Sequence, residues 1–308
     1  MKQVFLVILL AFGFVAGAQN KIVRKPKKQK PATTHVAPKR ERPSKQREVQ
    51  SKKGKADSHS KKAKVDIGST IGKANYTPNV KAFYANGVSF EMVKVDGGTF
   101  CMGATSEQGS DAESDEKPVH SVTLSRYYIG KTEVTQALWK AVMGSNPSDF
   151  KGDDLPVEQV SWNDCQEFIR KLNALTGQHF RLPTEAEWEF ACRGGNNSRG
   201  YIYSGSNDID NVAWYWDNSG KKTHPVATKS PNELGIYDMS GNVMEWCSDW
   251  YGKYSSGAQT NPKGPYDGSS RVFRGGSWSF GAWRFRSSFR FSGSPGDRCY
   301  ELGLRLSL

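Results

Sequence analysis

The chain has 308 residues, a formal net charge of +12 and nine tryptophans, which allows one large or two small domains. The charge is concentrated: residues 19–66 hold 17 Lys/Arg against 4 Asp/Glu, whereas the sequence from Ile67 onward has a net charge of −2. The isoelectric point of 9.4 therefore describes one segment, and gives no reason to read the rest of the chain as a nucleic-acid binder.

The first 18 residues read as a signal peptide. Lys2 precedes an apolar run from Val4 to Val15, and Ala16-Gly17-Ala18 offers a small-residue cleavage site. The run is too short for a comfortable membrane span, and no later segment approaches one. No cysteine stands at Gln19 to carry a lipid anchor. The expected location is exported: periplasm, cell envelope or outside the cell. Residues 19–87 read as a basic tail and linker. The stretch 19–66 has no Phe, Trp or Tyr and cannot bury enough apolar surface to offset the entropy of ordering, so disorder is expected. Such a tail is either a solvated spacer or an adhesive for anionic surface polymers; export argues against nucleic acid as its partner.

A globular composition starts near Val88 and holds all nine tryptophans. About 220 residues without a repeat or long linker predict a single domain over 88–308. Ser89 to Gly103 reads as two short strands joined by a hairpin turn at Gly97-Gly98. Ser106 to Lys117 reads as an acidic, solvated loop, and His120 to Ile129 as a strand. Thr135 can cap a short helix that ends near Gly144. Ser161 and Asp164 have the spacing of a capping box, followed by Cys165, Phe168, Ile169, Leu172 and Leu175 at helical intervals and a stop at Gly177. Thr184 and Glu187 form a second box for a helix running to Cys192. Short strands, two principal helices and many loops predict a compact, loop-rich α+β domain.

The stretch Leu234 to Trp250 concentrates two glycines, three carboxylates, an amide and two tryptophans. Asn242 and Glu245 are oxygen donors three residues apart with backbone carbonyls between them, a set that suits calcium. The alternative is a turn in which Asn242 takes a left-handed conformation and Glu245 faces water. The five cysteines, at 101, 165, 192, 247 and 299, are never within twenty residues of one another, which excludes zinc-knuckle and CxxC readings. An odd count leaves at least one thiol free. His120, His179 and His224 lack metal spacing, and no serine-hydrolase elbow, phosphate loop or dinucleotide fingerprint occurs.

Taken together, these motifs resemble the formylglycine-generating enzyme (sulfatase-modifying factor) family. The match rests on Gly97-Gly-Thr-Phe-Cys-Met-Gly103, Lys131-Thr-Glu-Val-Thr135, Pro156 to Asp164, Phe180 to Glu189, Gly235 to Trp250, Arg274-Gly-Gly-Ser-Trp278 and Gly303-Leu-Arg305. The resemblance implies a fold related to C-type lectins. It implies structural calcium, with Asn242, Val243 and Glu245 in one loop and Asn211 with Val212 in part of a second. It also implies oxidation of a sulfatase cysteine to formylglycine by oxygen, at copper(I) held by two cysteines. Those two positions fall here on Phe280 and Phe285, which cannot bind copper. Glu301 stands where the family carries Asn. Trp246, Ser277 and Trp278 remain as cleft residues, next to the cationic and aromatic run Trp283 to Arg290. That run is either a groove for a protein or peptide ligand or a set of core aromatics with paired arginines. The expected function is therefore a calcium-stabilised, copper-free binding or scaffold protein. An active formylglycine-generating oxidase is the alternative, and an iron oxidase is disfavoured because histidines are not clustered.

Overall fold

The protein is described here by a computed structural model that covers residues 79–308. The expected signal peptide, and the tail up to residue 78, lie outside the described residues. Folding starts earlier than composition suggested. A strand β1 (Val80–Ala85) turns at Asn86-Gly87 into β2 (Val88–Val95), so part of the expected linker is the first strand of the domain. Asn86 and Gly87 both have positive φ, 45° and 84°, as a two-residue hairpin with the right twist requires.

The hairpin expected at Gly97-Gly98 does not form. Strand β3 (Gly98–Met102) leaves the first sheet and pairs with β4 (His120–Leu124) in a second. Neither glycine has the positive φ of such a turn. Gly97 instead lets the chain pass the end of β4, where a Cβ would meet the Leu124 carbonyl oxygen at 2.3 Å. The single strand expected over His120 to Ile129 is likewise two. After Ser125-Arg126, β5 (Tyr127–Gly130) returns to the first sheet, whose order is β1-β2-β5.

The helices match their local signals. In α1 (Gln136–Met143) the Thr135 side chain accepts from Leu138 N, and Gly144 closes the helix at φ 79°. In α2 (Trp162–Thr176) Ser161 and Asp164 form the full capping box, and Cys165, Phe168, Ile169 and Leu172 face the core, while Leu175 is exposed. Helix α3 (Glu185–Cys192) has its own box through Thr184 and Glu187, but it is buried on every side. Three glutamates of one eight-residue helix are therefore inside the protein. A one-turn α4 (Ile209–Val212) opens a long irregular segment that ends at β6 (Met244–Trp250). The remaining strands are β7 (Gln259–Thr260), β8 (Arg271–Arg274), β9 (Phe291–Gly293) and β10 (Leu302–Leu304). The third sheet runs β10-β6-β8-β9, with β10 parallel to β6, and β7 completes the second sheet as β3-β4-β7. The α+β fold of short strands, loops and two principal core-facing helices, α2 and α3, is as expected. No helix among the described residues is long and apolar enough to cross a membrane.

Candidate functional site

Strand β6 and the turn before it are the hub that the sequence suggested. Gly241, at φ 95°, is forced by close approach: a Cβ there would meet the Trp214 carbonyl oxygen at 2.6 Å. Asn242 follows at φ 62° and is fully buried. Its side chain ties three segments together: Oδ1 accepts from His224 N at 2.9 Å, and Nδ2 donates to Glu133 Oε2 at 2.8 Å and to the His224 carbonyl at 3.1 Å. Glu133 also accepts from Val243 N at 3.0 Å.

Glu245 is fully buried and paired. Arg305 of the C-terminal segment approaches in a fork, Nη2 to Oε1 at 2.6 Å and Nε to Oε2 at 2.9 Å, and Trp188 Nε1 adds a bond to Oε2 at 2.7 Å. The same guanidinium donates to the carbonyls of Gly130 and Tyr237. It is the cation among three buried carboxylates. Burial, with Asp238 and Glu245 beside it, holds the Glu133 carboxyl well above the usual carboxylate range; burial lifts Asp238 to about 6.

At Asn242, Val243 and Glu245, where calcium was expected, the Asn242 and Glu245 side chains are engaged by protein groups. Calcium needs six to eight oxygens; the Glu245 oxygens and the Asn242 amide are bonded to protein donors, which leaves the backbone carbonyls of this turn as the oxygens not so engaged. Arg305 provides the positive charge an ion would bring. The second expected loop fares no better: Asn211 is exposed and bonded to Asp208 Oδ2, Val212 is buried in the core, and the Lys229 ammonium already sits on the Asp210 carbonyl at 2.6 Å. No group of three or more acidic, histidine or cysteine side chains among the described residues could hold a metal ion.

The expected cleft is filled. Trp246 and Ser277 are fully buried and Trp278 nearly so, with Trp246 Nε1 bonded to the Val160 carbonyl and Trp278 Nε1 to that of Tyr300. They are interior packing rather than cleft wall. Phe285, at one position where the resemblance implies a copper-binding cysteine, is buried edge-on against Tyr215 and lies over Gly276, whose φ of 75° and missing Cβ make room for the ring. Phe280, at the other, stacks on Phe291 with ring centres 5.5 Å apart. None of the five cysteines is disulfide-bonded. Burial pushes the Cys299 thiol up to about 12 and the Cys192 thiol to about 11, and holds those of Cys165 and Cys247 well above the usual thiol range, so these sulfurs stay protonated.

The arginines divide in a way the sequence does not reveal. Arg290 is bidentate on Glu185, Arg286 on Glu116, and Arg274 reaches Glu189 while capping the carbonyls of Ser287, Ser288 and Phe289. Arg181 forks onto Glu187. Each glutamate of α3 thus meets an arginine, and Glu116 of the supposedly solvated loop is buried by Arg286. Arg284 alone among the arginines of the run Trp283 to Arg290 has no carboxylate within ion-pair distance, though its charge acts on the nearby Glu301 carboxyl. It lies 4.7 Å from the Phe280 ring centre and 4.6 Å from that of Trp283. Around it the surface is aromatic: Trp216 is 51% exposed, with Lys221 over its ring, and Trp283 and Tyr300 are each 44% exposed. Trp216 N donates to the Phe280 carbonyl, and Tyr300 packs on Trp278. These residues form one face over the closed cleft. Sequence reasoning missed Trp216 and Tyr300, which carry no motif.

The family signature covers this whole region: the sulfatase-modifying factor enzyme 1-like domain matches residues 80–308. The chain belongs to that family. A relative named chaperone protein LppX, from Paenibacillus barcinonensis, is 37% identical over 241 residues, covering 62% of this chain and 79% of its own. The formylglycine-generating enzyme of Streptomyces coelicolor is 31% identical over 283 residues, 69% of this chain and 87% of that protein. Among solved structures, Treponema denticola variable protein 1 superposes with a TM-score of 0.68 at 36% identity, covering 75% of this chain and 99% of that one.

Proposed function

We propose that this chain is a non-catalytic member of the sulfatase-modifying factor family, exported to the cell envelope or beyond. It binds an extended polypeptide across the face of Trp216, Phe280, Trp283, Arg284 and Tyr300. The observation that carries the reading is the interior packing of the Phe285 ring, at a position where the resemblance expects a thiolate. A side chain with no lone pair cannot bind copper(I), and the space is filled. What this face presents is a set of aromatic rings with the half-buried Arg284 and the exposed Lys221 beside them, aromatic and arginine being residue types that dominate binding energy at interfaces. Arg284 and Lys221 favour a ligand that carries carboxylates. The name of the Paenibacillus relative, a chaperone protein, supports a polypeptide as the ligand. The basic tail would add adhesion to anionic surface polymers. Export itself rests on the reading of residues 1–18.

The test is fluorescence anisotropy with a labelled, reduced and carboxymethylated acidic protein as an unfolded probe. Saturable binding is expected, weakened at least tenfold by Trp283→Ala combined with Tyr300→Ala, with the melting temperature unchanged. Absence of binding, or binding indifferent to both substitutions, would remove the proposal.

A further inference from the structure

A second cavity, about 230 Å³, lies away from this face, beneath the loop that joins β6 to β7. Its polar lining comes from Asp249, Glu185, His120, Lys253, Tyr254 and Arg290. Asp249 is the unusual member. It is only 3% exposed, and its Oδ2 accepts from Glu185 N at 3.0 Å and Ser248 Oγ at 2.9 Å. Its Oδ1 makes no hydrogen bond among the described residues, and no guanidinium or ammonium is within ion-pair distance. Its neighbours Glu185 and Glu187 have arginines; Asp249 has none. Arg271 on β8, the nearby cation, is held between the rings of Trp162 and Trp250, 4.0 and 3.4 Å from their centres, and donates to the Ser248 carbonyl instead. Arg290 is committed to Glu185.

The other open atom is also an acceptor. His120 Nδ1 lies 3.1 Å from the Pro118 carbonyl, which can only accept. That contact assigns a hydrogen to Nδ1, and in the neutral ring Nε2 offers a lone pair. Tyr254 spends its hydroxyl hydrogen on Glu185. With Arg290 committed to Glu185 and Lys253 exposed at the rim, the open groups inside the cavity are acceptors, among them a buried carboxylate without an ion-pair partner, which is costly. The complement is a small positive group made only of donors. At about 230 Å³ the space falls below the roughly 300 Å³ at which drug-sized ligand sites begin, so it suits one small amine or one side chain.

We propose that this cavity binds a primary ammonium group, with Asp249 as its counter-ion and His120 Nε2 as a second acceptor. The ammonium can belong to a free amine or to a lysine side chain of a polypeptide. Lys253, exposed at the rim, competes for the site only by folding inward.

Calorimetry at pH 8 tests this, with n-butylamine, an N-acetyl-lysine methylamide and neutral n-butanol as probes. At that pH Asp249, which burial and Glu185 push up to about 7, is ionised. Saturable binding of an amine, at least tenfold tighter than butanol and lost in Asp249→Asn, is expected. Butylamine without the lysine derivative would assign the site to free amines, and both together to side chains as well. His120→Ala, which should weaken binding several-fold, is the second variant if Asp249→Asn fails to fold. Equal affinity for butylamine and butanol, or no binding of either amine, would overturn the proposal, as would an unchanged affinity in Asp249→Asn.

Discussion

Replacing Arg305 by Met tests the account of the hub most severely. The guanidinium makes a bidentate pair with Glu245, bonds two carbonyls and faces Glu133 and Asp238, all in the dry interior. Removing one partner of a buried pair costs about 3–5 kcal/mol, because the other charge is stranded. Two further carboxylates lose their neighbouring cation here, which places the expected loss at the upper end of that range. For a domain of this size that is roughly 10 °C in melting temperature. The loss should depend on pH in a defined direction. Asp238 is raised from 3.8 to about 6 and Glu133 is raised as well, so the folded state holds these protons more tightly than the unfolded chain. Their contribution is present at low pH and is lost as pH rises through the folded values. Without Arg305 the elevation grows. Urea unfolding should therefore show a larger deficit at pH 8 than at pH 5, and Glu245→Gln should recover part of it in the double variant. A deficit below about 1 kcal/mol, or one that is flat with pH, would refute the reasoning.

Other outcomes follow from the same contacts. Chelators should leave the melting temperature unchanged and elemental analysis should find no calcium, since Asn242 and Glu245 are occupied by protein donors; a chelator-induced drop abolished by Glu245→Gln would restore the ion. Asp249→Asn should stabilise the protein at pH 8 by up to about 4 kcal/mol, the value of moving a carboxyl from 3.8 to about 7. Because that proton is held more tightly in the folded state, the wild type loses stability as pH rises from about 4 to 7, and the gain from Asn should fade near pH 4 in urea titrations. Phe285→Ala should cost about 3–5 kcal/mol by calorimetric or urea unfolding, as a large ring removed from a packed site does.

The parts of the fold that were legible in the sequence are those set by neighbours in the chain. Thr135, Ser161 and Thr184 cap their helices through hydrogen bonds three residues long, and Gly144 and Gly177 end them in left-handed conformations. Asn86-Gly87 was equally local, a strong hairpin signal, but it lay in a stretch assigned to linker on composition. Gly97-Gly98 misled for the opposite reason: a glycine required by the close passage of β4 looks in sequence like one required by a turn. Charge was the least legible. Glu116 and Arg286 are 170 positions apart, and Glu185 and Arg290 are 105 apart, so nothing local tells that these charges face inward and not toward water. The order of motifs located the hub around Asn242 and Glu245. Only three-dimensional contact shows that Arg305, from the last strand's edge, supplies its cation and that the cleft residues Trp246 and Ser277 are interior.

The central claim is that a family fold is retained without its chemistry, and mass spectrometry of a cysteine-containing sulfatase-type peptide addresses it directly. Incubated with the protein, copper(I) and oxygen, the peptide should keep its thiol, because Phe280 and Phe285 offer no copper ligand and Cys299 is a single half-buried, protonated sulfur. Conversion of that cysteine to the aldehyde by the unmodified protein would contradict the account and make the chain an enzyme.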